Sequence, residues 1–216
     1  MPTRFSLLLC GLAALALAGH ALAQVQPSAD PASWAARDSH QNVTIAVKPL
    51  TSEADYKARF TGHTPYEAGI AALDVYIRND NDKPVRLKLD TIRLFVDRSG
   101  QPAQRLDGLA PEEVADRVVL KKPSDVRGQR LPGPLGRIPS SNRSKDWQEF
   151  AGQIRRASFP SDIVGPHSTV RGFVFFDVNR RYDSLREARL EIPDIAFMVN
   201  NEPLFFFEVD LAPAVR

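Results

Sequence analysis

The chain has 216 residues, of which 43% are hydrophobic and 25% are charged, and its formal net charge is +2 at pH 7. This length is enough to bury one sizeable core. The balanced charge argues against a nucleic-acid-binding protein, which would need a clustered basic surface. The single cysteine, Cys10, lies in an N-terminal apolar run. If that run is removed, the mature chain has no disulfide, no thiolate nucleophile and no cysteine-rich metal site.

The pattern of residues 1–23 predicts a secretory signal peptide. A short basic start precedes an apolar run over residues 5–19, and an A-x-A site ends at Ala23. The run is shorter than the roughly 20 apolar residues of a transmembrane helix. We therefore expect cleavage after Ala23, a periplasmic or secreted protein, and no transmembrane segment in the mature chain. Retention of the segment as an anchor is the alternative.

Residues 24–41 are rich in Gln, Pro, Ser, Asp and Ala and show no periodicity, which predicts a flexible lead-in. Trp34 is the one large apolar aromatic residue within this stretch. We expect a single domain over residues 42–212. Its first strand is predicted at residues 42–50, because apolar residues alternate there from Val43 to Val47.

Residues 69–100 carry the clearest β pattern. Apolar residues alternate from Leu73 to Ile77 and again from Val85 to Leu89, on either side of an Asx-rich turn at residues 79–84. This pattern predicts a β-hairpin with one buried face. A further strand is expected at residues 91–97.

Later strands are predicted at residues 169–178, 188–192 and 204–211. The first of these has apolar residues on both faces, which is typical of the middle of a covered sheet. The whole pattern predicts about seven to eight short strands with turns between them. It favours an all-β fold, an antiparallel β-sandwich of immunoglobulin-like type with one loop-and-helix excursion.

That excursion is predicted to be a helical and loop insertion over residues 107–160. A short helix is expected at residues 110–117, where Pro111 and two acidic residues occupy the first turn. A Pro- and Gly-rich basic loop follows at residues 121–144. Ser144 is expected to cap an amphipathic helix that runs from residue 145 to about residue 159.

The candidate partner-binding residues lie on this second helix and are Trp147, Phe150, Arg155 and Arg156. Aromatic residues and arginine dominate interface hot spots, which is the reason for choosing them. The competing interpretation is that Trp147 and Phe150 pack the helix onto its own domain, and this is the commoner role of an apolar stripe.

No catalytic residue, cofactor or metal site is predicted. The mature histidines, His40, His63 and His167, lack the spacing that preorganises metal ligands. The Asx-rich turn lacks the Gly and Glu of an EF-hand loop. No Gly-x-Ser-x-Gly elbow is present to hold a nucleophile.

Two phrases carry a family resemblance: YEAGIAALDVYIRNDNDKPVRL at residues 66–87 and IVGPHSTVRGFVFF at residues 163–176. They resemble uncharacterised exported immunoglobulin-like proteins of bacteria, notably of acidobacterial type, and the telokin-like domains of bacterial lipoproteins. The resemblance covers about residues 42–211 and implies a fold and an exported location, without catalytic residues. The chain departs from it in lacking a usable lipobox.

The sequence thus predicts an exported, non-enzymatic β-sandwich that acts as an interaction or structural module of the bacterial envelope. Its partner would be an envelope protein or a cell-wall component. Three alternatives stay open: a small-ligand-binding protein, a metal-binding protein, and a hydrolase with a site built from loop histidines and acidic residues. The oligomeric state is not specified by the sequence.

Overall fold

The computed structural model describes residues 30–98, 100–121 and 143–215. The expected signal peptide and nearly all of the Pro- and Gly-rich loop lie outside these residues. The described part is β-rich and contains three antiparallel sheets with a few helices. The strands are β1 (Ala36–His40), β2 (Val43–Pro49), β3 (Ile70–Asn79), β4 (Val85–Leu87), β5 (Arg93–Arg98), β6 (Gln101–Asp107), β7 (Ile163–Val164), β8 (Ser168–Asp177), β9 (Ala188–Ile192), β10 (Ile195–Phe197) and β11 (Phe207–Asp210).

The first sheet has the strand order β1-β2-β3-β8, the second β10-β4-β7 and the third β11-β9-β5-β6. One core lies between them. The odd-numbered residues of β3 face this core, because side chains alternate across a strand. They meet buried residues from all three sheets, which include Leu73, Val75, Ile77, Val85, Leu87, Leu94, Leu190, Ile192, Phe207 and Val209.

A second core lies on the opposite face of the first sheet, under three α-helices. These are α1 (Glu53–Arg59), α2 (Pro111–Val119) and α3 (Lys145–Ala157). The even-numbered residues Ile70 and Ala72 of β3 belong to this core. Strand β3 is therefore buried on both faces over its first half, which explains its nearly continuous apolar run.

The helices begin where their sequence signals lie. Pro111 opens α2, and the hydroxyl oxygen of Ser144 accepts a hydrogen bond of 3.2 Å from the backbone N–H of Trp147 at the start of α3. The predicted first strand is confirmed as β2. The helix starts depend on interactions between residues a few positions apart, which a sequence pattern records well.

The predicted hairpin at residues 69–100 is wrong. Strand β3 pairs with β2 and β8, whereas β4 pairs with β10 and β7, so the two strands lie in different sheets. The Asn79 side chain lies at the point of departure; it is buried, and its amide donates to the carbonyl oxygens of Lys83 (2.8 Å) and Gly165 (3.0 Å). These bonds hold the chain as it crosses from one sheet to the next.

Strand β8 lies at the end of the first sheet rather than in its middle. Its outer edge meets the chain after α3 in a single parallel bridge between Ser158 and Phe173. The approach is close, because a Cβ atom on Gly172 would lie 2.6 Å from the backbone nitrogen of Phe159. Apolar residues on both faces of β8 thus reflect the two cores, not a central place in the sheet.

The first sheet includes residues before residue 42. Residues 36–40 of the expected lead-in form β1, which pairs with β2. The residues before β1 pack on the first sheet, where the Arg171 guanidinium lies 5.2 Å from the centre of the Trp34 ring. The same guanidinium forms two hydrogen bonds of 2.8 and 2.6 Å with the buried carboxylate of Asp74. No helix within the described ranges is long and apolar enough to cross a membrane.

Candidate functional site

The aromatic residues proposed as partner contacts are part of the second core. Trp147 is 6% exposed and Phe150 is 3% exposed. The indole N–H of Trp147 donates to the Asp116 carboxylate on α2 at 2.9 Å, and the Arg143 guanidinium lies 3.7 Å from the centre of the indole ring. Both side chains hold α3 against its own domain, so neither is available to a partner.

The two arginines of α3 have different surroundings. Arg155 reaches α2, where its Nε donates to the Glu112 carboxylate at 3.2 Å. Arg156 forms no ion pair with a carboxylate of the described residues. Its guanidinium lies beside Gly152, where an added Cβ would stand 3.4 Å from one terminal nitrogen. Arg155 thus joins two helices, and Arg156 faces an open groove.

This groove has a volume of about 340 Å³ and separates the loop after α1 from the outward face of α3. Gln153 donates across it to the Thr61 hydroxyl at 3.1 Å, and the His63 ring lies edge-on to Phe150 at 6.0 Å. Charged side chains of both signs line the groove, namely Asp146, Glu149 and Arg156. The other lining residues are Thr61, Gly62, His63, Phe150 and Gln153.

The histidines lie in three different environments. His40 stacks on Phe207 at 3.8 Å, His63 borders the groove, and His167 lies 2.8 Å from the Asp82 carboxylate. Within residues 30–98, 100–121 and 143–215, no group of three or more His, Cys, Asp and Glu side chains could hold a metal ion.

In the Asx-rich turn, the polar side chains bind protein groups. Asp80 pairs with Arg78 at 2.9 Å, and the side-chain oxygen of Asn79 accepts from the backbone N–H of Asn81 at 3.1 Å. These contacts, with the buried amide of Asn79, account for the turn as a structural device.

Three tyrosines form a cluster under α1. The Tyr56 hydroxyl accepts from the N–H of Ala72 at 2.8 Å and donates to the carbonyl of Ile70 at 3.0 Å. The rings of Tyr66 and Tyr182 stack at 4.5 Å. Burial raises the pKa of both Tyr56 and Tyr182. Their hydroxyls therefore remain protonated at neutral pH and serve as structural hydrogen-bonding groups.

The sequence patterns did not predict the pair of exposed aromatic side chains at residues 205 and 206. Phe205 is 72% exposed and Phe206 is 58% exposed, at the point where the chain crosses from the second sheet to the third. The backbone N–H of Phe205 donates to the side-chain oxygen of Gln41 at 2.9 Å, which ties the crossing to the turn after β1. Of the four large hydrophobic side chains exposed in the described part of the chain, three lie within residues 199–206.

A sequence signal for this feature exists. Phenylalanine occupies three successive positions, 205–207, and an alternating strand with one buried face cannot bury all three. The predicted strand at residues 204–211 is shorter in the structure and begins only at Phe207, which is buried. The preceding two rings are left outside the core.

No family model matches the chain, and no curated protein sequence matches it. Among solved structures, the chain is similar to one described as the crystal structure of a functionally unknown protein from Listeria monocytogenes EGD-e. The two share 14% identity with a TM-score of 0.33, over 73% of this chain and 68% of the other. The resemblance to exported immunoglobulin-like proteins therefore stays a prediction from sequence.

Proposed function

We propose that this chain is an exported, non-enzymatic interaction module of the bacterial envelope, and that Phe205 and Phe206 form its contact with a protein partner. The exposure of these two adjacent rings is the observation that supports the proposal. Large apolar side chains outside a core commonly mark binding surfaces, and aromatic residues are enriched at the centres of interfaces.

The finer fold that we propose is an immunoglobulin-like β-sandwich. Two observations support it: every strand pair is antiparallel, and a single core collects side chains from all three sheets. In this arrangement the crossing at residues 204–206 connects one layer to the other, and the exposed rings follow the buried Leu204.

Binding is the proposed role because the exposed feature is apolar. A phenyl ring supplies contact area but no acid, base or nucleophile. Burying a phenylalanine contributes about 1.5–3 kcal/mol relative to leaving it exposed. Two such rings, with the polar rim of Gln41 beside them, suit a partner that offers an apolar pocket.

The test is capture of an envelope protein by the immobilised exported protein. The variant Phe205→Ser/Phe206→Ser should retain its thermal stability, because both rings are exposed, and should lose the captured partner by at least about ten-fold. Leu120→Ser is the matched control, since Leu120 is another exposed large hydrophobic on a different element. A protein captured equally by the wild type, the double variant and the control would contradict the proposal.

A further inference from the structure

We propose that the groove between residues 61–63 and α3 binds a short extended peptide with free ends, whose carboxylate meets Arg156 and whose ammonium group meets Asp146 and Glu149. The groove lies on different elements from Phe205 and Phe206. The two proposals can therefore fail independently.

The charges of the groove are ordered along one helix face. Asp146, Glu149, Gln153 and Arg156 follow one another at intervals of three or four residues, which places them on one stripe. The acidic residues lie toward the start of α3 and the arginine lies toward its end. A helix rises about 1.5 Å per residue, so Glu149 and Arg156 stand roughly 10 Å apart along the axis. Three extended residues span about the same length.

These charged groups are available to a ligand. Arg156 forms no ion pair within the described residues, in contrast to Arg155, which binds Glu112. Glu149 contacts Lys145 at 3.5 Å, but both side chains are well exposed, and such surface pairs contribute little. A ligand ammonium group can replace this contact at low cost.

Two contacts connect the walls of the groove. Thr61 binds Gln153 across the groove, and His63 rests edge-on against Phe150, whose ring is anchored in the second core. Gly152 leaves room for the Arg156 guanidinium on the helix surface. Phe150 is the buried side chain of the lining, and a side chain that is ordered before binding loses less conformational entropy when a ligand arrives. The volume of about 340 Å³ also lies in the range of small-molecule sites.

The probe is tri-alanine, compared by calorimetry or NMR titration with its N-acetyl derivative and its C-terminal amide. We expect tri-alanine to bind with a dissociation constant below about 10 mM. Removing either terminal charge should weaken binding by about five- to ten-fold, because each charge-assisted contact is partly exposed to water.

Variants of the groove test which side chains bind each end of the peptide. Arg156→Gln should abolish the difference between tri-alanine and its amide, and Asp146→Asn/Glu149→Gln should abolish the difference between tri-alanine and its acetyl derivative. Arg155→Gln is the matched control and should bind as the wild type does. Phe205→Ser/Phe206→Ser should also bind normally, which separates this site from the proposed partner contact.

Two results would overturn the proposal. One is the absence of saturable binding of tri-alanine at about 10 mM. The other is binding that Arg156→Gln and Arg155→Gln weaken equally. Either result would mean that the charges of α3 serve only its helix dipole, which also favours acidic residues at the start and basic residues at the end.

Discussion

At the scale of single residues, the Tyr56 hydroxyl replaces a neighbouring strand. Strand β2 ends at Pro49, and beyond that point the N–H of Ala72 and the carbonyl of Ile70 both bind this hydroxyl. Tyr56→Phe leaves the buried N–H of Ala72 without a partner, and the carbonyl of Ile70 keeps only the longer contact of 3.4 Å from the Tyr182 hydroxyl. We expect it to lower the free energy of unfolding by about 2–3 kcal/mol, measured by urea denaturation.

Tyr182→Phe is the control for this prediction. The Tyr182 hydroxyl donates to the carbonyl of Tyr66 at 2.9 Å in a partly buried position. Its loss should cost about 1 kcal/mol. Equal costs for the two variants would show that the bridge made by Tyr56 has no special role in the first sheet.

A second prediction at this scale concerns how the stability contributed by the N-terminal cap of α1 depends on pH. Ser52 and Asp55 cap α1 reciprocally, and the hydrogen bond from the Ser52 hydroxyl is the main reason that the pKa of Asp55 is lowered. A carboxyl with a lowered pKa stabilises the fold above its unfolded pKa of about 3.9, and this stabilisation disappears as the pH falls through the folded pKa. Ser52→Ala should cost about 1 kcal/mol at neutral pH.

That cost should shrink as the pH is lowered below about 3.9, because the protonated carboxyl no longer gains from the hydroxyl. Urea denaturation of the wild type and Ser52→Ala at several pH values measures the difference. A difference that stays constant down to the acid transition would show that the carboxylate contributes nothing to the cap.

At the scale of elements, β8 approaches the chain after α3 so closely that no side chain fits at Gly172. A Cβ atom at Gly172 would lie within 2.6–2.8 Å of the backbone of Ser158 and Phe159. One of the two segments must therefore move. We expect Gly172→Ala to cost about 1–3 kcal/mol of unfolding free energy, as other overpacked sites do.

Gly152→Ala is the matched control for this prediction. Its added Cβ meets only the flexible end of Arg156, at 3.4 Å. Alanine is the better helix former by about 1 kcal/mol, so this variant should be neutral or more stable. Destabilisation by both substitutions to the same extent would contradict the assignment of Gly172 as the point of close approach.

The elements also show what the sequence could predict. Helices α2 and α3 were predictable because proline, acidic residues, a serine cap and an apolar stripe act within a few residues of one another. The partner of a strand is a different matter. Alternation in β3 and β4 records which side chains are buried, but not that β4 pairs with strands about 80 to 110 residues away in the sequence.

The candidate site was predictable only in part. An apolar stripe on α3 indicates that Trp147 and Phe150 share a face, and the structure identifies that face as the one that packs on the domain. The different environments of Arg155 and Arg156 depend on Glu112, which is distant in sequence. The exposure of Phe205 and Phe206 results from a crossing between sheets. The run of phenylalanines at 205–207 indicates that a strand cannot bury all three rings, but it does not indicate which of them are exposed.

At the scale of the whole molecule, the two cores account for almost all of the large apolar side chains within residues 30–98, 100–121 and 143–215. The helical layer covers one face of the first sheet, and the other two sheets cover its opposite face. Against this background, two adjacent exposed phenylalanines are an exception that folding does not explain. We propose that a protein partner covers them.

Site-specific photocrosslinking tests this claim most directly. Phe206 is replaced by p-benzoylphenylalanine in cells that produce the protein, and the same residue is placed at the exposed Lys57 on α1 as the control. We expect one dominant crosslinked protein from position 206 and no such product from position 57. The absence of a crosslinked protein at position 206, or the same products from both positions, would contradict the proposal.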